Sequence, residues 1–161
     1  MPDADRYNLS EAYLRARIAN ALGGRAAEQV VYGTSTTGAE NDLKQVTALA
    51  RAMVTRWGMS PEVGLVQVEG VEEGNFLDGG MLPGQGRPVS DEMAHAIDSA
   101  TRRIVDECYA KAFDSLRTNR ERLDDLAHAL LREESLNSQQ IREVTGLVDR
   151  PLEENPVAAL R

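Results

Sequence analysis

Gly23-Gly24-Arg25-Ala26-Ala27-Glu28-Gln29-Val30-Val31-Tyr32-Gly33, followed by Thr34-Ser35-Thr36-Thr37-Gly38-Ala39-Glu40-Asn41-Asp42-Leu43, is the stretch that decides the fold. Two helices meet here across a loop of small polar residues. Gly23-Gly24 predicts the end of a preceding helix, because glycine takes the left-handed C′ conformation at little cost. A short helix over about 25–31 follows, with Ala26-Ala27 allowing close approach and Tyr32-Gly33 closing it. Thr37 then opens a third helix. Thr37-Gly38-Ala39-Glu40 has the capping-box form, in which the threonine oxygen meets the N3 amide and the N3 glutamate reaches back. Leu43, Val46, Ala50, Met53 and Trp57 repeat at three and four, an amphipathic stripe that Gly58 and Pro61 stop. Asp42 stands four residues before Val46 and seven before Leu49, so helical spacing aligns it with an apolar edge. Two readings of it stay open. An acid in the first turn favours the positive end of the helix. A carboxylate on an apolar edge must be partnered or ligate something, because isolated buried charge is costly.

Working outward, Asn8 or Ser10 can cap a first helix that runs to about Leu22, with Leu14, Ile18 and Leu22 inward. Residues 62–89 are rich in glycine and proline. Within them Gly64-Leu65-Val66-Gln67-Val68 is β-like, which predicts at most a short β-hairpin near 62–76. Ser90 caps the longest helix, about 90–118, whose apolar line is Met93, Ile97, Ala100, Ile104, Cys108, Ala112 and Leu116. Asn119 breaks or bends it. A helix over about 120–132 turns Leu123, Leu126, Leu130 and Leu131 inward, and Asn137-Ser138-Gln139-Gln140 predicts a capping box before a last helix burying Ile141 and Val144. The fold class is mainly α. Residues 1–148 form the helical region, and Pro151 and Pro156 mark 149–161 as a flexible C-terminal tail.

The chain has 161 residues, 42% of them hydrophobic but only 4% aromatic, so its core is aliphatic. A formal net charge of −8 argues against a nucleic-acid groove and against direct contact with an anionic membrane surface. No run reaches the ~18 apolar residues of a membrane helix, so the chain itself reads as soluble. Cys108, alone and in an apolar line, reads as an inert core thiol. His95 and His128 fall on separate helices, and neither HExxH nor HxxxH occurs, so no imidazole metal site is built locally. The glycines of 70–86 are not followed by the GK[ST] of a phosphate-binding loop, and Ser35, Thr36 and Thr37 lack a GxSxG frame, which leaves them turn and cap roles. Arg25 and Glu28, three apart, read as a surface pair or as groups supporting a site.

Leu22-Gly23-Gly24-Arg25-Ala26-Ala27-Glu28-Gln29-Val30-Val31-Tyr32-Gly33 with Thr36-Thr37-Gly38-Ala39-Glu40-Asn41-Asp42-Leu43 resembles the peptidase domain of the FtsH family, membrane-anchored, ATP-dependent zinc metalloproteases with an AAA module ahead of the peptidase. Met1-Pro2-Asp3-Ala4-Asp5-Arg6-Tyr7 is similar to that family's LPxxDR lead-in. Ala50 to Ser60, Ile97-Asp98 with Arg103-Ile104-Val105, and Asn119 to Leu123 with Ala127, Leu130 and Leu131 resemble its later helices. The likeness covers about residues 1–145. Asn75-Phe76-Leu77-Asp78-Gly79-Gly80 departs from the family's FLGR-like element.

The resemblance implies a helical FtsH-like peptidase region in which Asp42 is the third zinc ligand, matching the aspartate of TTGAxxD, and Glu28 is a supporting residue near the metal. It also implies that HExxH, with the other two ligands and the glutamate that activates water, lies upstream of the LPxxDR segment and so before Met1. No catalytic residue is then expected in this chain. Zinc belongs to the complete site and ATP to the AAA module, and neither is expected tightly bound here. The implied partners are unfolded or tagged protein substrates and further copies in a ring of six, on the cytoplasmic side of a membrane. The alternative is a non-catalytic helical interaction module derived from the same family.

Overall fold

The computed structural model describes residues 9–68 and 89–147. Its elements are α1 (Glu11–Ala21), α2 (Gly23–Tyr32), a 3-10 turn (Thr37–Ala39), α3 (Glu40–Thr55), α4 (Asp91–Thr118), α5 (Arg120–Glu133) and α6 (Ser138–Thr145). Among the described residues there is no strand. The part of the expected hairpin over 62–68 is therefore irregular, and the rest lies outside the described residues, as does the expected tail. The chain divides into two compact units, residues 1–39 with 108–161, and residues 40–107.

In the first unit, Ser10 opens α1 by accepting a hydrogen bond from the Tyr13 amide on its Oγ. Leu14 and Ile18, four apart, are buried, and Leu22 and Ala26 continue the line into α2. The glycine pair does not end α1 as expected. Leu22 is the joint, and it stays right-handed (φ −82°, ψ −3°). Its side chain is held in the core, and its carbonyl accepts from the Ala26 amide at 3.0 Å. Gly23 and Gly24 are thus the first residues of α2, where a Cβ would meet nothing within 4 Å. Gly33 does take the left-handed conformation (φ 68°) and ends α2.

Further along the same unit, Arg120 at the start of α5 donates to the Val30 carbonyl at 2.9 Å and, through Nε, to Asp124. That link joins the beginning of α5 to the end of α2 across 90 positions of sequence. The inward residue of α5 is Ala129. Leu130 and Leu131, expected inside, are 42% and 81% exposed. α6 opens with the predicted capping box: Asn137 accepts from the Gln139 and Gln140 amides, and Gln140 returns a bond to the Asn137 amide. Thr145 is buried there, whereas Ile141 stays 38% exposed.

In the second unit, Val46, Ala50, Met53 and Val54 of α3 and Ile97, Ala100 and Ile104 of α4 are buried. Buried Thr101 and Thr55 satisfy their hydroxyls on the carbonyls one turn back, Ile97 and Arg51. α3 ends at Thr55, so Trp57 falls beyond it and is 46% exposed rather than closing the stripe. The backbone folds back at once. Met59 N–H reaches the Met53 carbonyl at 2.9 Å and Val68 N–H the Thr55 carbonyl at 2.9 Å. Gly58 makes this possible: its φ is 60°, and a Cβ would stand 3.4 Å from the Gly64 carbonyl oxygen.

Candidate functional site

Asp42 lies in the first turn of α3 and is half-buried. Among the described residues its carboxylate takes part in no hydrogen bond or ion pair, so its lone pairs are uncommitted. The capping box expected at Thr37 is not what leads into the helix. Thr37 belongs to the 3-10 turn, anchored by buried Ala39, and the hydroxyl that serves the turn is that of Thr36.

Glu28, on α2, carries its carboxylate to the loop between α2 and α3. The Thr36 amide donates to Glu28 Oε2 at 3.0 Å, and the Thr36 hydroxyl donates to Oε1 at 3.0 Å. Thr36 Oγ1 in turn accepts from the Gly38 amide at 3.3 Å. The bond from the Thr36 amide, then that from its hydroxyl, holds Glu28 below its ordinary carboxylate pKa, with the nearby charge of Arg25 adding a little. Arg25 itself lines an open cavity of about 570 Å³ with Gln29, Ser35, Tyr109 and Phe113. Asp42 and Glu28 belong to different compact units, 40–107 and 1–39 with 108–161, and each is described within its own.

The remaining sequence candidates fall as their types suggest. His95 and His128 are exposed and Cys108 is buried. Thr36 is what reading by spacing missed. It stands eight residues from Glu28, outside the three- and four-residue spacing that reveals helix neighbours.

Zinc can be tested against these residues. Asp42 offers a hard oxygen donor with free lone pairs, which fits one ligand position. A catalytic zinc takes three protein ligands, and among the described residues no group of three His, Cys, Asp or Glu could hold a metal. The described residues therefore do not make a complete zinc centre. No described helix is long and apolar enough to cross a membrane.

The class of protein comes from comparison with known proteins. The sequence model of Peptidase family M41 matches residues 1–144, and the chain belongs to that family. It is 60% identical over 149 residues to the ATP-dependent zinc metalloprotease FtsH of Thermobaculum terrenum, covering 92% of this chain and 23% of that protein. It is 52% identical over 150 residues to the ATP-dependent zinc metalloprotease FtsH of Syntrophus aciditrophicus, covering 93% of this chain and 20% of that protein. FtsH 4 of Sphaerobacter thermophilus, also named an ATP-dependent zinc metalloprotease, is 44% identical over 145 residues. The chain thus spans about a quarter or less of the length of these relatives.

Proposed function

We propose that this chain is the C-terminal helical part of the peptidase domain of an ATP-dependent zinc metalloendopeptidase that degrades unfolded or tagged proteins. Asp42 contributes one zinc ligand, and the other two come from an HExxH segment that this sequence does not contain. Bound zinc supplies Lewis-acid chemistry, polarising the scissile carbonyl and activating water. Asp42 holds the metal, and Glu28 keeps the loop ahead of Asp42 in place. The helices add bulk through which peptidase domains assemble into a ring of six. ATP is used by a separate module, and the whole is anchored to a membrane with the peptidase on its cytoplasmic side.

The observation that carries this reading is the carboxylate of Asp42 in the first turn of α3, uncommitted among the described residues, in a member of Peptidase family M41. The test is Asp42→Asn in a full-length protease carrying this chain, with zinc content and casein hydrolysis measured. Both are expected to fall to background, while Glu40→Gln, two residues away in the same turn, keeps them. Full zinc content in D42N would overturn the assignment. The chain by itself is expected neither to retain zinc on dialysis nor to cleave casein, and zinc-dependent cleavage by it would overturn the view that it is incomplete.

A further inference from the structure

We infer that the open cavity of about 570 Å³ beside α2 is a binding site for an apolar residue that carries a free carboxylate, the chemistry of the last residue of a peptide chain. Its lining residues all lie in one compact unit, residues 1–39 with 108–161, and it draws nothing from Asp42. Two helical pairs build it. Arg25 and Gln29 stand one turn apart on α2, and Tyr109 and Phe113 stand one turn apart on α4. The two rings lie with centroids 6.4 Å apart and planes inclined by 35°, which gives the cavity an aromatic wall. Ser35 comes from the loop after α2. The residue next to it, Thr36, is held on Glu28 by both its amide and its hydroxyl.

The cavity is rich in donors and poor in acceptors. Among the described residues the Arg25 guanidinium forms no hydrogen bond and no ion pair, and the hydroxyls of Ser35 and Tyr109 form no hydrogen bond. The acid that lines the cavity, Asp114, is already engaged by Arg117 at 3.0 Å. Glu28 feels the charge of Arg25 but takes its hydrogen bonds from Thr36. Gln29 donates its Nε2 to the Gly33 carbonyl at 3.1 Å, within its own helix end. In a chain of formal net charge −8, a cavity whose uncommitted groups are a cation and two hydroxyls calls for an anion. A guanidinium matches a carboxylate with two parallel bonds. Phosphate would also satisfy the donors, but it would leave the aromatic wall bare. The rings therefore select a carboxylate carried on an apolar group. The volume falls within the ~300–1,000 Å³ of small-ligand pockets, in which a few polar groups fix the orientation of an apolar body. Capture of a chain-terminal carboxylate is an established mode of peptide recognition.

The test is titration calorimetry on a nucleotide-free, full-length protease carrying this chain. The probes are N-acetylphenylalanine, its amide, the tripeptide alanyl-alanyl-phenylalanine and inorganic phosphate. The two acids are expected to bind with a dissociation constant of about a millimolar or tighter. The amide and phosphate should bind at least about tenfold more weakly. Tighter binding of the tripeptide than of N-acetylphenylalanine identifies a peptide end as the source of the carboxylate, and equal binding identifies a free acid; both support the site. In Arg25→Gln the acid should weaken about tenfold or more, and the preference for acid over amide should vanish. Tyr109→Phe keeps the ring and loses one donor. It should weaken the acid and leave the amide unchanged, which keeps the test decisive if R25Q does not fold. Asp42→Asn, in the other compact unit, should bind the acid as the unsubstituted protein does. Absence of saturable binding by either acid would overturn the inference, as would equal binding of acid and amide or full affinity in R25Q. Loss of binding in D42N with retention in R25Q would move the ligand to the catalytic centre and overturn it too.

Discussion

Arg103 grips Glu62 across 41 positions of sequence: its Nε donates to Oε1 at 2.6 Å and its Nη2 to Oε2 at 2.9 Å. The same guanidinium donates to Glu107 one turn further along α4 at 2.8 Å, and Ser60 Oγ donates to Glu62 Oε2 at 2.6 Å. The two-pronged geometry suits arginine and not lysine. It secures the segment after α3 to the middle of α4, within one compact unit.

These bonds make Glu62 an acid-sensitive group. The Arg103 guanidinium, and then the Ser60 hydroxyl, push its carboxyl down to about 2 from an ordinary 4.5. Arg103 is correspondingly held above its own ordinary value. A carboxylate depressed in the folded state contributes stability that is fully present above pH 4.5 and is lost as pH falls from there toward 2. In Arg103→Gln, the Glu62 midpoint should return toward 4.5, and the difference in melting temperature from the unsubstituted chain should shrink over the same interval. Carboxyl-carbon NMR titration with thermal melts from pH 2 to 7 checks both.

Gly58→Ala should be costly despite adding one methyl. The backbone there is left-handed, with φ 60°, and the new Cβ would meet the Gly64 carbonyl oxygen in van der Waals contact at 3.4 Å. A loss of about 1–2 kcal/mol is expected from the left-handed conformation alone. Urea unfolding measures it. Gly23→Ala, in a right-handed position with open space around it, is expected to be neutral or stabilising by up to about 1 kcal/mol.

Leucine and isoleucine positions in the first unit should separate sharply. Ile18 is fully buried, and Ile18→Ala should cost about 2–5 kcal/mol. Leu131 is 81% exposed, and Leu131→Ala should stay within about 0.5 kcal/mol. Equal losses in denaturant titrations would contradict the exposed placement of Leu131.

Asn137→Ala removes the oxygen that two α6 amides share and should cost about 1 kcal/mol, with Asn137→Ser recovering much of it. Hydrogen exchange at Gln139 and Gln140 is the local readout.

Much of the helical plan was legible in the residues. Leu14 and Ile18, then Val46, Ala50 and Met53, then Ile97, Ala100 and Ile104, declare their buried faces by spacing, and these are the residues that are buried. Asn137 and Gln140 announce a cap whose partners lie within three positions. The pattern is silent where the deciding partner is distant. Periodicity alone could not say that α3 stops at Thr55, because the return of Met59 and Val68 onto its last carbonyls decides it. Nor could it prefer Ala129 to Leu130 and Leu131, since all three lie on one turn and only packing chooses among them.

The sequence by itself determined a mainly α chain, its Peptidase M41 membership, and the helix whose first turn carries Asp42. These follow from local spacing and short motifs, which are written in neighbouring residues. Only the tertiary structure decided that Glu28 takes its bonds from Thr36, and that Arg103 closes on Glu62. Those partners are 8 and 41 positions apart, and side-chain pairings at such separations are chosen by how the backbone turns between them rather than by helical period.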